Sequence, residues 1–305
     1  MINSQSIEYC CQSKLRTLLL FASAGIKTPK TVYASPNVRE TIAEGGELDN
    51  TETIIKLLEG ELNNQMVIKP DFGTHGTGVT LTNNRQELEK ALKKTSANLM
   101  NPSGVLVQEY IPKWFFDLRI IVSKERGKPP VCQESALARG GFKEFRTNTF
   151  LGNMVFKVKL PRKVRLDAEK SASVIGKGQG AWVLGLDAMP KVVEELVRDE
   201  DELRNKFELL TDLFNKVSQV KRMPSKRQHF KEYTEAIDQA FSNYMRSEAY
   251  NYIEDVVNST LLKTADNVFF HEGNSCPEFW EQTRAVAGIN LAELLLASAQ
   301  SIIDR

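Results

Sequence analysis

The spacing of apolar residues divides the chain into short strands and helices. Leu15, Leu18, Leu19 and Ala22 recur at helical intervals and predict a helix over Lys14 to Ala24. Ser13 is its candidate N-cap and Gly25 its stop. Thr31 to Ala34 reads as a short strand, Thr51 to Leu62 as a helix, and Met66 to Lys69 as a buried strand running into Pro70. A glycine-rich turn follows, then a strand over Val79 to Thr82 and a helix over Arg85 to Lys93. Asn101 to Gly104 reads as a turn between two units. Val105 to Tyr110 and Leu118 to Ser123 are strands of the second unit, Arg126 to Pro130 a hairpin loop, and Val131 to Ala138 the strand that pairs back. Met154 to Leu160 alternates with period two.

Beyond that strand the pattern changes. Pro190 opens a long, highly charged helical region reaching about Val217, and a basic break at Met223 to Arg227 leads into a helix from about His229 to Met245. Leu196, Leu203, Leu210 and Phe214 form one apolar stripe; Ile237, Phe241 and Met245 form another, and core packing explains both. Val256 to Thr264 and Val268 to Glu272 read as a hairpin about Ala265-Asp266-Asn267, and the last helix spans about Asn290 to Ile302. Residues 1–12 are polar and read as a flexible N-terminus.

Composition narrows the function classes. Apolar residues make up 41% and charged residues 26% of 305 residues, a globular profile long enough for two compact units. Forty Lys and Arg against 39 Asp and Glu leave a net charge of +1, so no nucleic-acid partner is expected. No apolar stretch approaches the roughly 20 residues that span a bilayer, so no membrane partner is expected either. Cys10, Cys11, Cys132 and Cys276 read as reduced thiols in a cytoplasm, and three histidines without zinc spacing make a zinc site a poor reading.

The strongest local signal is Val67-Ile68-Lys69-Pro70-Asp71-Phe72-Gly73-Thr74-His75-Gly76-Thr77-Gly78-Val79. A strand delivers a lysine, then three glycines within six residues, then a second strand. Glycines let backbone amides approach a polyphosphate, and Lys69, Thr74, Thr77 and His75 are further donors. No Gly-Lys-Ser/Thr closes the loop, and a strand rather than a helix follows, so neither a Walker loop nor a dinucleotide fingerprint fits. A flexible hairpin turn is the plain alternative. The second signal is His271-Glu272-Gly273-Asn274-Ser275-Cys276-Pro277. Glu272 and Asn274 are two apart on a strand, so their oxygens share a face and suit Mg²⁺ bridged to nucleotide phosphates; a polar strand end is the plain alternative. Strict alternation turns His271 away from Glu272.

Together, in order, these segments resemble the ATP-grasp superfamily, and more closely its RimK-like branch of amino-acid ligases. Ser13-Lys14-Leu15 and Gly25-Ile26-Lys27-Thr28-Pro29-Lys30-Thr31 look like the opening helix and strand. Gln108-Glu109-Tyr110-Ile111 looks like the hinge that holds adenine, Asp117-Leu118-Arg119 like Asp-x-Arg, and Phe145-Arg146-Thr147-Asn148 like Phe-Arg-x-Asn. Glu272 to Pro277 matches Glu-x-Asn-x-x-Pro, and Thr283 to Ala292 resembles the closing segment. The resemblance implies an α+β fold in which two α+β subdomains, residues 13–104 and 105–305, clasp ATP, with a helical insertion at about 161–228. It implies a carboxylate–amine ligase working through an acyl-phosphate. Lys14, Lys69 and the loop Gly73 to Gly78 would hold phosphates, Arg119, Arg146 and Asn148 would serve the transfer, and Glu272 and Asn274 would hold Mg²⁺. The substrates would be an amino acid, a peptide or a carrier protein.

Three departures qualify the resemblance. The small α/β domain that opens the family is absent from this sequence: either the sequence is a fragment, or the acceptor site lacks that wall, or a second copy or a partner subunit is expected to complete it. The family's Asp opposite Glu272 is also not evident. A hairpin turning at Ala265 to Asn267 sets Thr260 opposite Glu272 as the third metal ligand, with Asn258 on its face and Asp255 turned away; Asp187 is a remoter candidate. The insertion is longer than the family usually has there, and reads either as a docking element or as a solvated surface. A nucleotide-binding protein without its own turnover, a regulatory or partner subunit of a two-chain ligase, is the competing expectation.

Overall fold

A computed structural model describes residues 2–34, 51–73, 76–95, 104–147, 149–197, 199–224, 226–278 and 280–303. The chain opens on helix α1 (Gln5–Gln12) rather than on a flexible arm. Ile7 is fully buried, and the Asn3 amide donates to Val183 O at 2.6 Å while accepting from Val183 N at 3.0 Å. The Asn3 amide also donates to Ser275 O, Thr17 Oγ1 donates to Cys10 O, and Cys10 and Cys11 pack on the core, so this short polar segment is seated along its length. Helix α2 (Lys14–Ser23) follows, with Ser13 Oγ accepting from Arg16 N at 3.1 Å as its cap.

The first sheet contains β1 (Thr31–Ala34), β2 (Met66–Pro70), β3 (Thr80–Thr82) and β4 (Val105–Glu109) in the order β1-β4-β2-β3, with antiparallel pairing throughout. Helices α3 (Thr51–Glu61) and α4 (Arg85–Lys94) complete this layer, and Ile55, Leu58, Leu88 and Leu92 meet Met66, Ile68, Val105 and Val107 in its core.

The second sheet contains β5 (Phe116–Lys124), β6 (Val131–Cys132), β7 (Ser135–Gly140), β8 (Met154–Lys159), β9 (Trp182–Pro190) and β10 (Val268–Asn274). Its order is β10-β9-β5-β7-β8, with β6 paired to β5. Helix α5 (Arg162–Ile175) packs against β5, β9 and β10. Residues 162–190, expected as the start of an insertion, therefore belong to this layer. Pro190 closes a strand instead of opening a helix.

Among the described residues three α-helices stand between β9 and β10: α6 (Glu200–Lys221), α7 (Phe230–Met245) and α8 (Glu248–Thr264). The expected strand Val256 to Thr264 is the second half of α8. Its β-branched residues read locally as strand, but Ile253, Val257 and Leu261 recur every four residues and all three are fully buried. Packing against β8 rewards the helical period over the local propensity. The excursion leaves and returns at one point, since Pro190 pairs with Val268 and Lys191 N donates to Asn267 O at 2.8 Å. Helices α9 (Gln282–Ala285) and α10 (Leu291–Ile303) complete the chain, α10 packing on β9 and β5. Among the described residues no helix is long and apolar enough to cross a membrane.

The helical excursion shares the core of the second sheet. The Phe207 ring on α6 lies 5.4 to 5.5 Å from the rings of Phe115, Phe142 and Phe156. A Phe207→Ala substitution is therefore expected to cost about 3–5 kcal/mol within a single denaturant transition. A separate early transition for the helices, followed by near-ultraviolet circular dichroism, would show instead that they fold alone.

Candidate active site

The two sheets enclose a cavity of about 450 Å³. At one end it is lined by Val67, the segment Gln108 to Ile111, and Met189. Val67, Tyr110, Ile111 and Met189 give this end an apolar surface, and Glu109 N and Tyr110 N are tied to Lys30 O and Gln65 O. Strand β2 brings Lys69 to the cavity. Burial pushes its ammonium down to about 8, against the pull of Glu272. The following loop needs its glycines: Gly76 and Gly78 have φ of 72° and 74°, and a Cβ on Gly78 would meet Pro70 at 3.3 Å. Lys14 Nζ donates to Gly73 O at 2.8 Å and Arg146 Nη1 to Gly76 O at 3.1 Å, so cations grip the loop from both sides. Arg146 is also paired with Glu144.

The floor of the cavity is a ladder of four charges on β7, β5 and β9. Asp117 and Arg119 are two apart on β5 and share a face. Asp117 stands opposite Arg139 on β7, and Arg119 opposite Asp187 on β9. Arg139 donates Nε and Nη2 to the two Asp117 oxygens at 2.8 and 2.9 Å, and its Nη2 lies 3.2 Å from Asp187 Oδ2. Arg119 holds Asp187 bidentately, with Nη2 to Oδ2 at 2.9 Å. Burial alone would raise the Asp187 carboxyl, but Arg119 and Arg139 more than reverse it and hold it well below the usual range. Asp117 is lowered likewise, Arg139 and Lys113 outweighing burial. Lys113, itself pushed down to about 8 by burial, donates to Thr147 Oγ1 at 2.6 Å.

Glu272 faces Asp187 across the β10–β9 pair, and Asn274 faces Gly185. This corrects the expected ligand set. Thr260 is buried on α8 and is absent from the cavity lining, because the strand paired to β10 is β9. Asp255 lies on α8 as well, as does Asn258, which accepts a hydrogen bond from Lys159 N. The register of β10 shifts between Phe270 and Glu272. That bulge breaks the alternation that would turn His271 away, and His271 lines the cavity beside Glu272. Both its ring nitrogens are buried without a hydrogen-bond partner among the described residues, and burial followed by Lys69 pushes it down to about 3.

Of the residues expected from the sequence, Lys14, Lys69, Gly73, Gly76, Thr77, Gln108, Glu109, Tyr110, Ile111, Asp117, Arg119, Arg146, Glu272 and Asn274 all line this one cavity. Gly78 shapes the loop without lining it. Thr74, His75 and Asn148 lie outside the described residues. Asp187, ranked below Thr260 in the sequence, is central, and Lys113, Arg139, Glu278 and Gln282 were missed. Arg139 carried a signal: a lone cation in the apolar run Ala136-Leu137-Ala138-Arg139-Gly140 is a buried charge awaiting a partner.

Residues 11–199 match the RimK-like ATP-grasp domain, more than half of the chain, and the protein belongs to that family. The match covers the loop, the hinge, the charge ladder and Asp187, and ends before the helices that precede Glu272. A protein of Serratia proteamaculans named probable alpha-L-glutamate ligase is 34% identical over 167 residues, 54% of this chain and 48% of its own length. The coenzyme gamma-F420-2:alpha-L-glutamate ligase of Methanocaldococcus jannaschii is 28% identical over 62% of this chain and 57% of its own. The chain thus spans about half the length of the curated relatives it matches. Among solved structures, D-cycloserine synthetase superposes with a TM-score of 0.46 and 16% identity, covering 61% of this chain and 59% of that one.

The donor set fits a magnesium nucleotide. Asp187 and Glu272 oppose each other in register, Asn274 follows on the same side, and its amide nitrogen is buried without a partner among the described residues. Two carboxylates and an amide oxygen suit a hard divalent cation. Lys69 has no hydrogen bond among the described residues, which leaves its ammonium for a phosphate.

Removing Arg139 strands two buried carboxylates. Arg139→Met is expected to cost about 3–5 kcal/mol, read in denaturant unfolding. Because Asp117 and Asp187 are held below their unfolded range, their contribution is fully present above about pH 4. It is lost as pH falls below that, so the melting temperature should drop there, and less steeply in Asp187→Asn.

Proposed function

We propose that this chain is the nucleotide-binding and catalytic part of a cytoplasmic ATP-dependent carboxylate–amine ligase that forms an amide bond through an acyl-phosphate. One observation carries the reading. Lys69, the glycine loop and the Asp187–Glu272–Asn274 oxygens converge on a cavity whose opposite end is an apolar hinge. That is a binding order of base, phosphates, metal and acceptor. Four free cysteines accord with a reducing compartment.

In this reading the chain's residues act by position and charge. Tyr110 and Ile111 flank the base, and Lys14 and Lys69 neutralise phosphate oxygens. Asp187, Glu272 and Asn274 would hold Mg²⁺, which supplies charge neutralisation to the phosphates. A substrate carboxylate oxygen attacks the γ-phosphorus and ADP departs; an uncharged amine then attacks the carbonyl carbon, loses a proton and expels phosphate. Arg119 and Arg146 are placed to receive the negative charge of the transferring group. Both Asp187 oxygens are already engaged by arginine. That favours one second reading, nucleotide binding without turnover, should the arginines not release them.

The test is ADP release by purified protein with MgATP, L-glutamate and mixed carboxylates. MgATP-dependent ADP release that needs both a carboxylate and an amine supports ligation. Binding of MgATP without any such release supports the second reading, and no binding at millimolar ATP sinks both. Lys69→Met should weaken MgATP binding by about 1.5–3 kcal/mol in calorimetry. Since Lys69 sits near 8 in the free protein, phosphate contact should draw a proton onto it. Calorimetry in buffers of different ionisation enthalpy should find uptake of about half a proton at pH 8, vanishing in Lys69→Met and by pH 6.

A further inference from the structure

The helical insertion between β9 and β10 is not needed to connect those strands, whose ends are already paired at Pro190 and Val268. Its loop between α6 and α7 reaches back to the cavity. Lys221 Nζ donates to Gln282 Oε1 at 2.9 Å and lies 3.5 Å from Glu281, and Lys226 Nζ lies 3.1 Å from Glu281. Tyr233 on α7 donates to the same Glu281 carboxylate. Phe230 stacks on Trp280 at 5.1 Å, and Asp238 pairs with Arg284. So residues 280, 281, 282 and 284 are each tied to the insertion. From the other side, the Glu278 carboxylate accepts from the backbone amides of Trp280, Glu281 and Thr283 at 2.6 to 3.1 Å. Glu278, Gln282 and Thr283 line the cavity.

The order of groups along β10 tells which ligand this wall meets. Phe269 pairs with Met189 at the hinge end, Glu272 with Asp187, and Asn274 with Gly185. The strand is seven residues long, about 20 Å, and the wall begins beyond its far end. In chain order the carboxylate pair therefore stands between the hinge end and this wall.

We propose that the insertion is a positioning module for the second substrate, in which Lys221, through Glu281 and Gln282, fixes the far wall of the cavity without touching the nucleotide. This rests on the ligase reading above. In Lys221→Met and Glu281→Gln, the MgATP dissociation constant should stay within twofold of the parent. Amide hydrogen exchange over residues 280–285 should speed up about tenfold. The KM for L-glutamate in ADP release should rise about tenfold with kcat within threefold, and Lys221→Arg should restore it. An equal loss of MgATP affinity, or unchanged exchange and KM in both variants, would overturn the proposal. Should the parent bind MgATP yet release no ADP with any carboxylate–amine pair, the ligase reading fails by itself. Exchange over 280–285 then decides the clamp, and unchanged exchange overturns it.

Discussion

The charge ladder of buried Asp117, Arg139 and Asp187 with half-buried Arg119 is the constraint to which the rest of the site conforms. Four charges in a protein interior are costly unless each finds an opposite partner with good geometry. Cross-strand register supplies that geometry on β7, β5 and β9, so the same pairing that defines the sheet also neutralises its floor. A slip of one residue on β5 would turn Asp117 and Arg119 into the opposite face and leave Arg139 and Asp187 unpaired. The ladder therefore locks the register, and the register sets where Glu272 stands, because β10 is read against β9.

The hairpin of β9 and β10 does two jobs at its two ends. At the hinge end its strands separate to admit three helices, which share aromatic packing with the sheet rather than hanging from it. At the other end β10 runs out past Asn274 into the segment that those helices hold. A detour in the chain thus becomes a brace across the site. The bulge at His271 belongs to the same strand and adds an imidazole whose two buried nitrogens have no partner among the described residues, a polar surface that an ideal strand would have turned away.

Groups far apart in sequence hold the glycine loop. Gly76 and Gly78 in left-handed conformations, Lys14 on the Gly73 carbonyl and Arg146 on the Gly76 carbonyl hold the loop between the two sheets. Asp71 adds a tie at the root of the loop: its carboxylate accepts from Ser13 Oγ and Leu15 N, fastening the start of α2 to the end of β2.

The sequence by itself determined the elements whose signals are local. The α2 cap at Ser13, the strand ending in Lys69, the glycine loop, the hinge after β4 and the Glu272-x-Asn274 strand are all where their residues put them. These depend on backbone conformation and on periods of two or 3.6, which neighbours in sequence report. What only the tertiary structure decided was pairing. Residues 182–190 hold a largely buried strand, whose apolar side chains, interrupted by Asp187, show no alternation, and its partner lies beyond a long helical detour. Val256 to Thr264 took a helix because its buried face met β8 at helical spacing. The residue opposite Glu272 is therefore Asp187 and not Thr260: a strand's partner is chosen by burial and register across the whole chain, which no local stretch records.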